Sequence, residues 1–294
     1  MKKRNLLTIF AAIVALVLAG CSSGASSEPI KIGSKDFTES LIISEIYAVA
    51  LEDQGLTVER VPNIASSVIP ESIENGEIDL YPEYTGTALL TIFELPLETD
   101  PDKVAETVRA AYEEGGELTT LDYAPANDSA GLAIKTSVSE ELGITTISDL
   151  QEKADQIRFA SQGEFDQRED GLPGLTEAYG PFNFKSSTVY DNSLKYQVLL
   201  NDEADATPAY TTEGQLSNKE EFVTLEDDKN FWPPYNVMPV VRQEVLDANP
   251  EIAETINNIN KDLTTEKVIK LNAKVDIDGE DYVKVAKDYF ESLQ

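Results

Sequence analysis

The chain has 294 residues, 41% of them hydrophobic, which is enough for one large or two ordinary domains with a sizeable core. Its formal charge is −31, it lacks histidine, and its one cysteine is Cys21. These counts argue against nucleic-acid binding, since so acidic a surface repels phosphate. They exclude Ser-His-Asp and Cys-His nucleophilic sites, the usual zinc ligand sets and any disulfide within the chain. An enzyme built from this chain would have to work through carboxylates, lysine or tyrosine. The acidity suits a soluble surface exposed to salty or alkaline surroundings.

The N-terminus reads as an export signal. Lys2, Lys3 and Arg4 form a basic start, Leu6 to Leu18 is almost wholly apolar, and Leu18-Ala19-Gly20-Cys21 follows. Small residues before a lone cysteine match the lipobox of bacterial lipoproteins. The expected arrangement is a signal peptide over 1–20, lipidation of Cys21, and a tether over 21–28. The mature protein is then extracytoplasmic and held at the cell membrane by its lipid. The apolar run is short for a membrane span.

After the tether, Ile30-Lys31-Ile32-Gly33 predicts a strand. Thr38 is placed to cap a helix whose stripe is Leu41, Ile42, Ile46, Val49 and Ala50, ending at Gly55. Thr57 to Val61 is the next strand, and a short helix around Val68 to Ile73 leads to the turn Asn75-Gly76. The stretch Asp79-Leu80-Tyr81-Pro82-Glu83-Tyr84-Thr85-Gly86-Thr87 comes next. It puts a tyrosine on a proline- and glycine-bounded turn after a short apolar run, a position suited to meeting a ligand. Asp100-Pro101 opens a helix with Val104, Val108 and Ala111 on one face, closed by Gly115-Gly116. Leu118 to Tyr123 and Gly131 to Ile134 read as strands flanking a loop at Asn127. Shorter helices are expected over Ser148 to Ala154, Leu172 to Tyr179 and Asn192 to Leu200, with strands at Ile157 to Ala160 and near Asp205 to Thr207. Val237 to Val241 reads as a returning strand, and the last fifty residues as amphipathic helix.

Strand and helix alternate throughout, so the class is α/β with mainly parallel sheets. The Asn127 loop and the stretch Phe231-Trp232-Pro233-Pro234-Tyr235 are the expected crossings between two lobes. Residues 29–129 and 237–294 would form the first lobe and 130–236 the second. Ligands of such folds sit in the cleft at the carboxyl ends of strands.

Three tyrosines share one kind of setting. Tyr84 lies in Glu83-Tyr84-Thr85-Gly86, Tyr210 in Thr207-Pro208-Ala209-Tyr210-Thr211-Thr212, and Tyr235 in Pro233-Pro234-Tyr235-Asn236. Each alone could merely cover a core edge. Together, converging rings suit a quaternary ammonium, which cannot donate hydrogen bonds; each desolvated ring contributes about 0.5–2 kcal/mol. A carboxylated quaternary amine also needs a cation for its other end, and Arg168 has the fork for a bidentate contact unless neighbouring acids claim it.

These residues resemble the substrate-binding proteins of bacterial ABC importers for osmoprotectants, the glycine betaine/carnitine/choline family of the ProX and OpuC type. The resemblance runs from about Ile30 to the end. It rests on Gly33-Ser34-Lys35-Asp36-Phe37-Thr38-Glu39, on Asp79 to Thr87, on Arg168 with Asp170-Gly171, on Tyr210 with its threonines, and on Pro234-Tyr235. It implies a two-lobed periplasmic-binding-protein fold of type II, with Tyr84, Tyr210 and Tyr235 as walls of an ammonium cage. Thr87, Lys35 and Arg168 would meet the polar or carboxylate end, and Asp128 would stand near the cation. It also implies no cofactor, a small quaternary-amine ligand, a monomer, and a permease with its ATPase as partner. One departure stands out: the family often has Asn-Asp-Thr-Tyr where this chain has Asn127-Asp128-Ser129-Ala130. The fourth wall is then an alanine, unless Tyr81, Tyr123 or Tyr190 fills the gap. The competing expectations are a binding protein for another small solute, such as an amino acid or another trimethylated metabolite, and a surface hydrolase with a carboxylate pair.

Overall fold

The computed structural model describes residues 28–163, 165–168 and 170–294. The expected signal peptide, Cys21 and all but the last residue of the tether lie outside the described residues.

Among the described residues, ten strands make two five-stranded sheets. β1 (Ile30–Lys35), β2 (Val58–Ile64), β3 (Leu80–Tyr84), β4 (Leu118–Thr120) and β10 (Val237–Arg242) form one, in the order β2-β1-β3-β10-β4. β5 (Ala130–Lys135), β6 (Arg158–Ser161), β7 (Ser186–Val189), β8 (Ala206–Tyr210) and β9 (Phe222–Thr224) form the other, in the order β7-β6-β8-β5-β9. The expected parallel pairing holds β1 to β2 and β3, and β6 to β7 and β8. The strands that follow the crossings run the other way: β10 is antiparallel to β3 and β4, and β5 to β8 and β9. Each sheet is therefore mixed.

Local chemistry accounts for most element ends. The Pro101–Glu113 helix starts where expected, with Asp100 Oδ1 accepting from the Lys103 N–H at 3.0 Å and proline in the first turn. Thr38 behaves differently from the expected cap. Phe37 takes the cap position of the Thr38–Asp53 helix, and the Thr38 hydroxyl donates instead to Asp276 Oδ1 at 2.6 Å, far along the chain. All five residues of β3 are buried, and Pro82 sits opposite Pro239 of β10. Proline has no N–H to donate, and the ladder from β1 to β3 is confined to Ile32 opposite Leu80.

The apolar core of the first sheet has two sides. Ile42, Ile46, Tyr47 and Leu51 pack on one with the C-terminal helices, whereas Ile73, Ile78, Tyr81, Val104 and Val240 fill the other. The second sheet buries Leu132, Ile134, Phe159 and Leu175 on one face and Leu199, Ala209 and Leu216 on the other. At about 25 cal/mol per Å² of apolar surface, such burial is the main favourable term for both halves.

The chain passes from β4 to β5 through 121–129 and back from β9 to β10 through 225–236. These two crossings are zipped together. Asn127 pairs with Asn236 in an isolated antiparallel bridge, Asn127 Oδ1 accepts from the Tyr235 N–H at 2.7 Å, and the Asp128 N–H donates to the Tyr235 carbonyl at 3.0 Å. The Asn236 N–H donates to Thr85 Oγ1 at 3.0 Å, and that hydroxyl donates on to the Pro234 carbonyl at 2.9 Å. The turn after β3 is thus stitched to the crossing.

Candidate functional site

A cavity of about 920 Å³ lies where the two sheets meet the crossings. Residues from the ends of β1, β3 and β8, the loop before Leu172, both crossings and the Thr265–Asp276 helix border it. Tyr84, Tyr210, Tyr235, Arg168, Thr87, Lys35 and Asp128 all line this one space.

The three tyrosines are not equivalent. Tyr84 ends a fully buried strand and is 3% exposed; its hydroxyl donates to Glu39 Oε1 at 2.9 Å. Burial first, then the charges of Glu39 and Asp128, push its phenol well above the ordinary range, so it stays a neutral donor. The Phe37 ring lies 5.9 Å away, and the Lys35 ammonium is 5.2 Å from the Tyr84 ring centre. Tyr235 stands on the crossing, half-buried, with its ring against the turn at Gly86. A Cβ built on Gly86 would meet Tyr235 ring carbons at 2.8 Å and the Pro234 carbonyl oxygen at 2.9 Å. Only glycine lets this ring and this turn come so close. Tyr210, at the end of β8, is 49% exposed and presents the largest free surface of the three.

Ala130 does border the cavity, but Tyr81, Tyr123 and Tyr190 do not. Tyr81 is buried in the core, donating to Glu83 Oε2 at 3.1 Å. Tyr123 is turned to Asp102, and Tyr190 packs beside the Leu199 cluster. Phe37 and Phe165 add further aromatic surface to the cavity wall.

The cations in the wall are already paired. Lys35 is buried and bonded to the buried Glu83 carboxylate. Lys195 binds Glu213 Oε1 at 2.5 Å. The Arg168 fork is engaged by Asp170, with Nε donating to Oδ1 at 2.7 Å, while the side chain is 56% exposed. Three further carboxylates, Asp128, Glu39 and Asp276, border the space without a bonded cation among these pairs, and Asp276 accepts from Thr38. The Asp128 Oδ1 accepts from the Thr212 hydroxyl at 2.6 Å, and Glu39 accepts from Tyr84 and from Asn272 Nδ2, the latter at 3.0 Å. Surrounding protein desolvates the Asp128 carboxyl although its surface stays partly open to the cavity. Burial, followed by the charge of Glu39, raises its pKa well above the carboxylate range. Burial also raises Glu39, against hydrogen bonds from Thr212, Asn272 and Tyr84. Carboxylates therefore outnumber cations around the cavity, an arrangement that attracts positive charge.

Sequence reasoning missed Glu39, Asn272, Phe37 and Phe165. Glu39 and Phe37 were inside the quoted opening motif, but their positions as helix start hid their direction. Asn272 had one faint signal: it lies four residues after Val268 on a buried helix face, where a polar side chain is unusual. Among the described residues no cluster of three or more carboxylate, cysteine or histidine ligands is placed to hold a metal.

Residues 28–292 match the family described as the substrate binding domain of ABC-type glycine betaine transport system. A glycine-betaine-binding protein of Pseudomonas aeruginosa is 33% identical over 275 residues, covering 90% of this chain and 88% of that one. An ergothioneine transport permease/ergothioneine binding protein of Helicobacter pylori is 29% identical over 299 residues; the match takes in 99% of this chain but 53% of that longer protein. A solved glycine betaine/carnitine/choline ABC transporter structure superposes with a TM-score of 0.85 at 25% identity, covering 90% of this chain and 98% of that one. That fold is the two-lobed periplasmic-binding-protein fold of type II, and it overturns the expectation of a surface hydrolase. The protein accordingly belongs to the substrate-binding domains of ABC-type glycine betaine transport systems, whose members bind a solute and do not transform it.

Proposed function

We propose that this chain captures a quaternary-amine osmoprotectant of the glycine betaine, carnitine or choline type outside the cell and delivers it to an ABC permease driven by its ATPase. Substrate-binding proteins of ABC importers are extracytoplasmic, and among the described residues no helix is long and apolar enough to cross a membrane. Lipid on Cys21 would hold the protein, as a monomer, at the membrane surface. Residues 29–129 with 237–294 form one lobe in this reading and 130–236 the other, closing on the ligand about the two crossings.

The observation that carries the reading is the meeting of Tyr84, Tyr210 and Tyr235 on one cavity whose ionisable wall is predominantly acidic. The rings contribute cation–π attraction to a head group that needs no hydrogen bonds, and Asp128 adds Coulombic attraction once it is ionised. Lys35 already sits near one side of the Tyr84 ring, so that ring meets the ligand through its remaining edge and hydroxyl. Thr87 borders the polar end. A ligand carboxylate reaches Arg168 by joining or displacing Asp170 at the guanidinium.

Calorimetric titration with glycine betaine, carnitine and choline tests the proposal. Tyr235→Ala and Tyr84→Ala should each weaken the tightest of these at least tenfold. Unchanged affinity in both folded variants sinks the cage.

A further inference from the structure

The Thr265–Asp276 helix comes from the returning part of the chain, yet it packs on both halves of the molecule. Val268 and Leu271 belong to the cluster of Ile42 and Ile46 on the first sheet. Ile269, one position along, is 6% exposed within the cluster of Leu199, Leu216 and Phe222 on the second sheet. Asn272 spans the same junction: its Nδ2 donates to Glu39 Oε2 at 3.0 Å on one side and to the Thr212 carbonyl at 2.9 Å on the other. The helix start is held to the outgoing crossing, where the Asn127 N–H donates to Thr265 Oγ1 at 3.0 Å. The sheets are thus linked by this helix as well as by the two crossings.

The segment that follows Tyr210 is what meets the helix. A Cβ built on Gly214 would lie 2.8 Å from both Cα and N of Ala273, and 3.1 Å from the Asn272 carbonyl carbon. All three are backbone atoms, so no side chain can turn aside, and only glycine permits the approach. Thr211 ties the same segment to the outgoing crossing: its hydroxyl donates to the Asn127 carbonyl at 2.7 Å and its N–H to the Ser129 carbonyl at 2.9 Å. Tyr210, which ends β8 in the second sheet, is in this way anchored close by to a helix packed on the first.

Resting on the proposed closure of two lobes around a quaternary amine, we infer that Gly214 is a positioning residue: it seats the segment after Tyr210 on the Thr265–Asp276 helix, making a third joint between the lobes that stays formed while the cleft opens and that sets where Tyr210 stands against Tyr84 and Tyr235. The joint is built like a core. Ile269 is enclosed by apolar side chains from the second sheet, and pulling it free would expose that cluster to water in every cycle of capture and release. Rotation about a line through Gly214 and the Asn127–Asn236 bridge opens the cleft without that exposure. A contact of bare backbone suits a bearing, because it leaves no side chain to interlock.

The test is Gly214→Ala in the mature protein, with Gly115→Ala as control, since a Cβ there would meet nothing within 4 Å. The methyl at 214 forces the segment back from 2.8 Å toward the 3.4 Å at which ordinary contact begins. Calorimetric titration with glycine betaine, carnitine and choline, and small-angle scattering with and without the tightest of them, read the result. Affinity should fall about tenfold, as it would if a tenth of the molecules could still close on the ligand. The contraction on saturation should be smaller than in wild type, and Gly115→Ala should match wild type in both. A glycine needed only for packing would lower the melting temperature and move neither readout. Native affinity or native contraction in folded Gly214→Ala therefore overturns the inference and leaves the quaternary-amine reading standing. If the wild type binds none of the three ligands, that reading falls and the positioning role falls with it. Thiol labelling of Ile269→Cys, measured against the wild-type chain to subtract Cys21, tests the persistence of the joint and decides alone should Gly214→Ala fail to fold. Slow modification with and without ligand supports the joint, and fast modification of the ligand-free protein overturns it.

Discussion

Replacing Gly86 by alanine should damage binding without touching the ligand. The added Cβ would lie 2.8 Å from two carbons of the Tyr235 ring and 2.9 Å from the Pro234 carbonyl oxygen, both well inside van der Waals contact. The ring can swing, but the carbonyl is held, because it accepts from Thr85 Oγ1 at 2.9 Å in the network that zips the crossing. Something backbone must therefore give. Overpacking of this kind costs about 1–3 kcal/mol. In a protein of this size that is roughly 2–4 °C of melting temperature per kcal/mol. Displacing one cage ring forfeits about 0.5–2 kcal/mol of cation–π attraction, a loss of roughly two- to thirtyfold in affinity. Differential scanning calorimetry and isothermal titration with the best-bound betaine read both effects. Gly86→Ala with native affinity and native melting temperature would refute the idea that Tyr235 is seated on this turn.

Asp128 makes a pH-dependent prediction. Burial and the Glu39 charge raise its folded-state pKa above the unfolded value, so its stabilising contribution is full below the ordinary carboxylate range and lost as pH rises through the raised value. The melting temperature of Asp128→Asn relative to wild type should rise as pH climbs from the ordinary carboxylate range through the raised value, while wild-type affinity for a cationic ligand strengthens over the same window; a pH-independent difference contradicts the burial argument. Trp232 offers an optical readout. Its indole N–H donates to the Asp170 carbonyl at 2.8 Å, and Asp170 holds Arg168, so ligand arrival at that guanidinium should change tryptophan emission; a flat titration under saturating ligand would disconnect the loop from binding.

What could be read from the chain was whatever depended on near neighbours. The Leu172–Tyr179 helix and the Pro101–Glu113 helix carry their own start signals, and both form where those signals stand. β7, over Ser186–Val189, had no such signal: all four residues are exposed on the sheet edge, so no alternation of apolar and polar marks it. β9 has three residues, too few for a period to show. Thr38 looked like a cap because local sequence rewards a hydroxyl before a helix, and a contact 238 positions away won. The same division holds in the cavity. The tyrosines announce themselves through flanking proline, glycine and threonine. The partnership of Glu39 with Asn272 spans 233 positions and exists only once the C-terminal helices have docked on the first sheet.

The turn after β3 and the crossing between the sheets form one hydrogen-bonded unit, and this links the motif to the cleft more tightly than its tyrosine alone would. Thr85 uses its N–H toward the Asn236 carbonyl at 2.9 Å and its hydroxyl in two directions. Asn236 spends its side-chain amide on the Ala124 carbonyl at 3.0 Å and the Ala126 carbonyl at 3.3 Å, which ties the outgoing crossing to the returning one. Asp128 and Tyr235, on opposite strands of that zipper, are thereby held in register: one supplies charge to the cavity and the other a ring. A lobe movement that bends the crossing must shift both together. On the proposed reading, ligand contact with either one would bias the angle between the lobes with no separate relay across the protein.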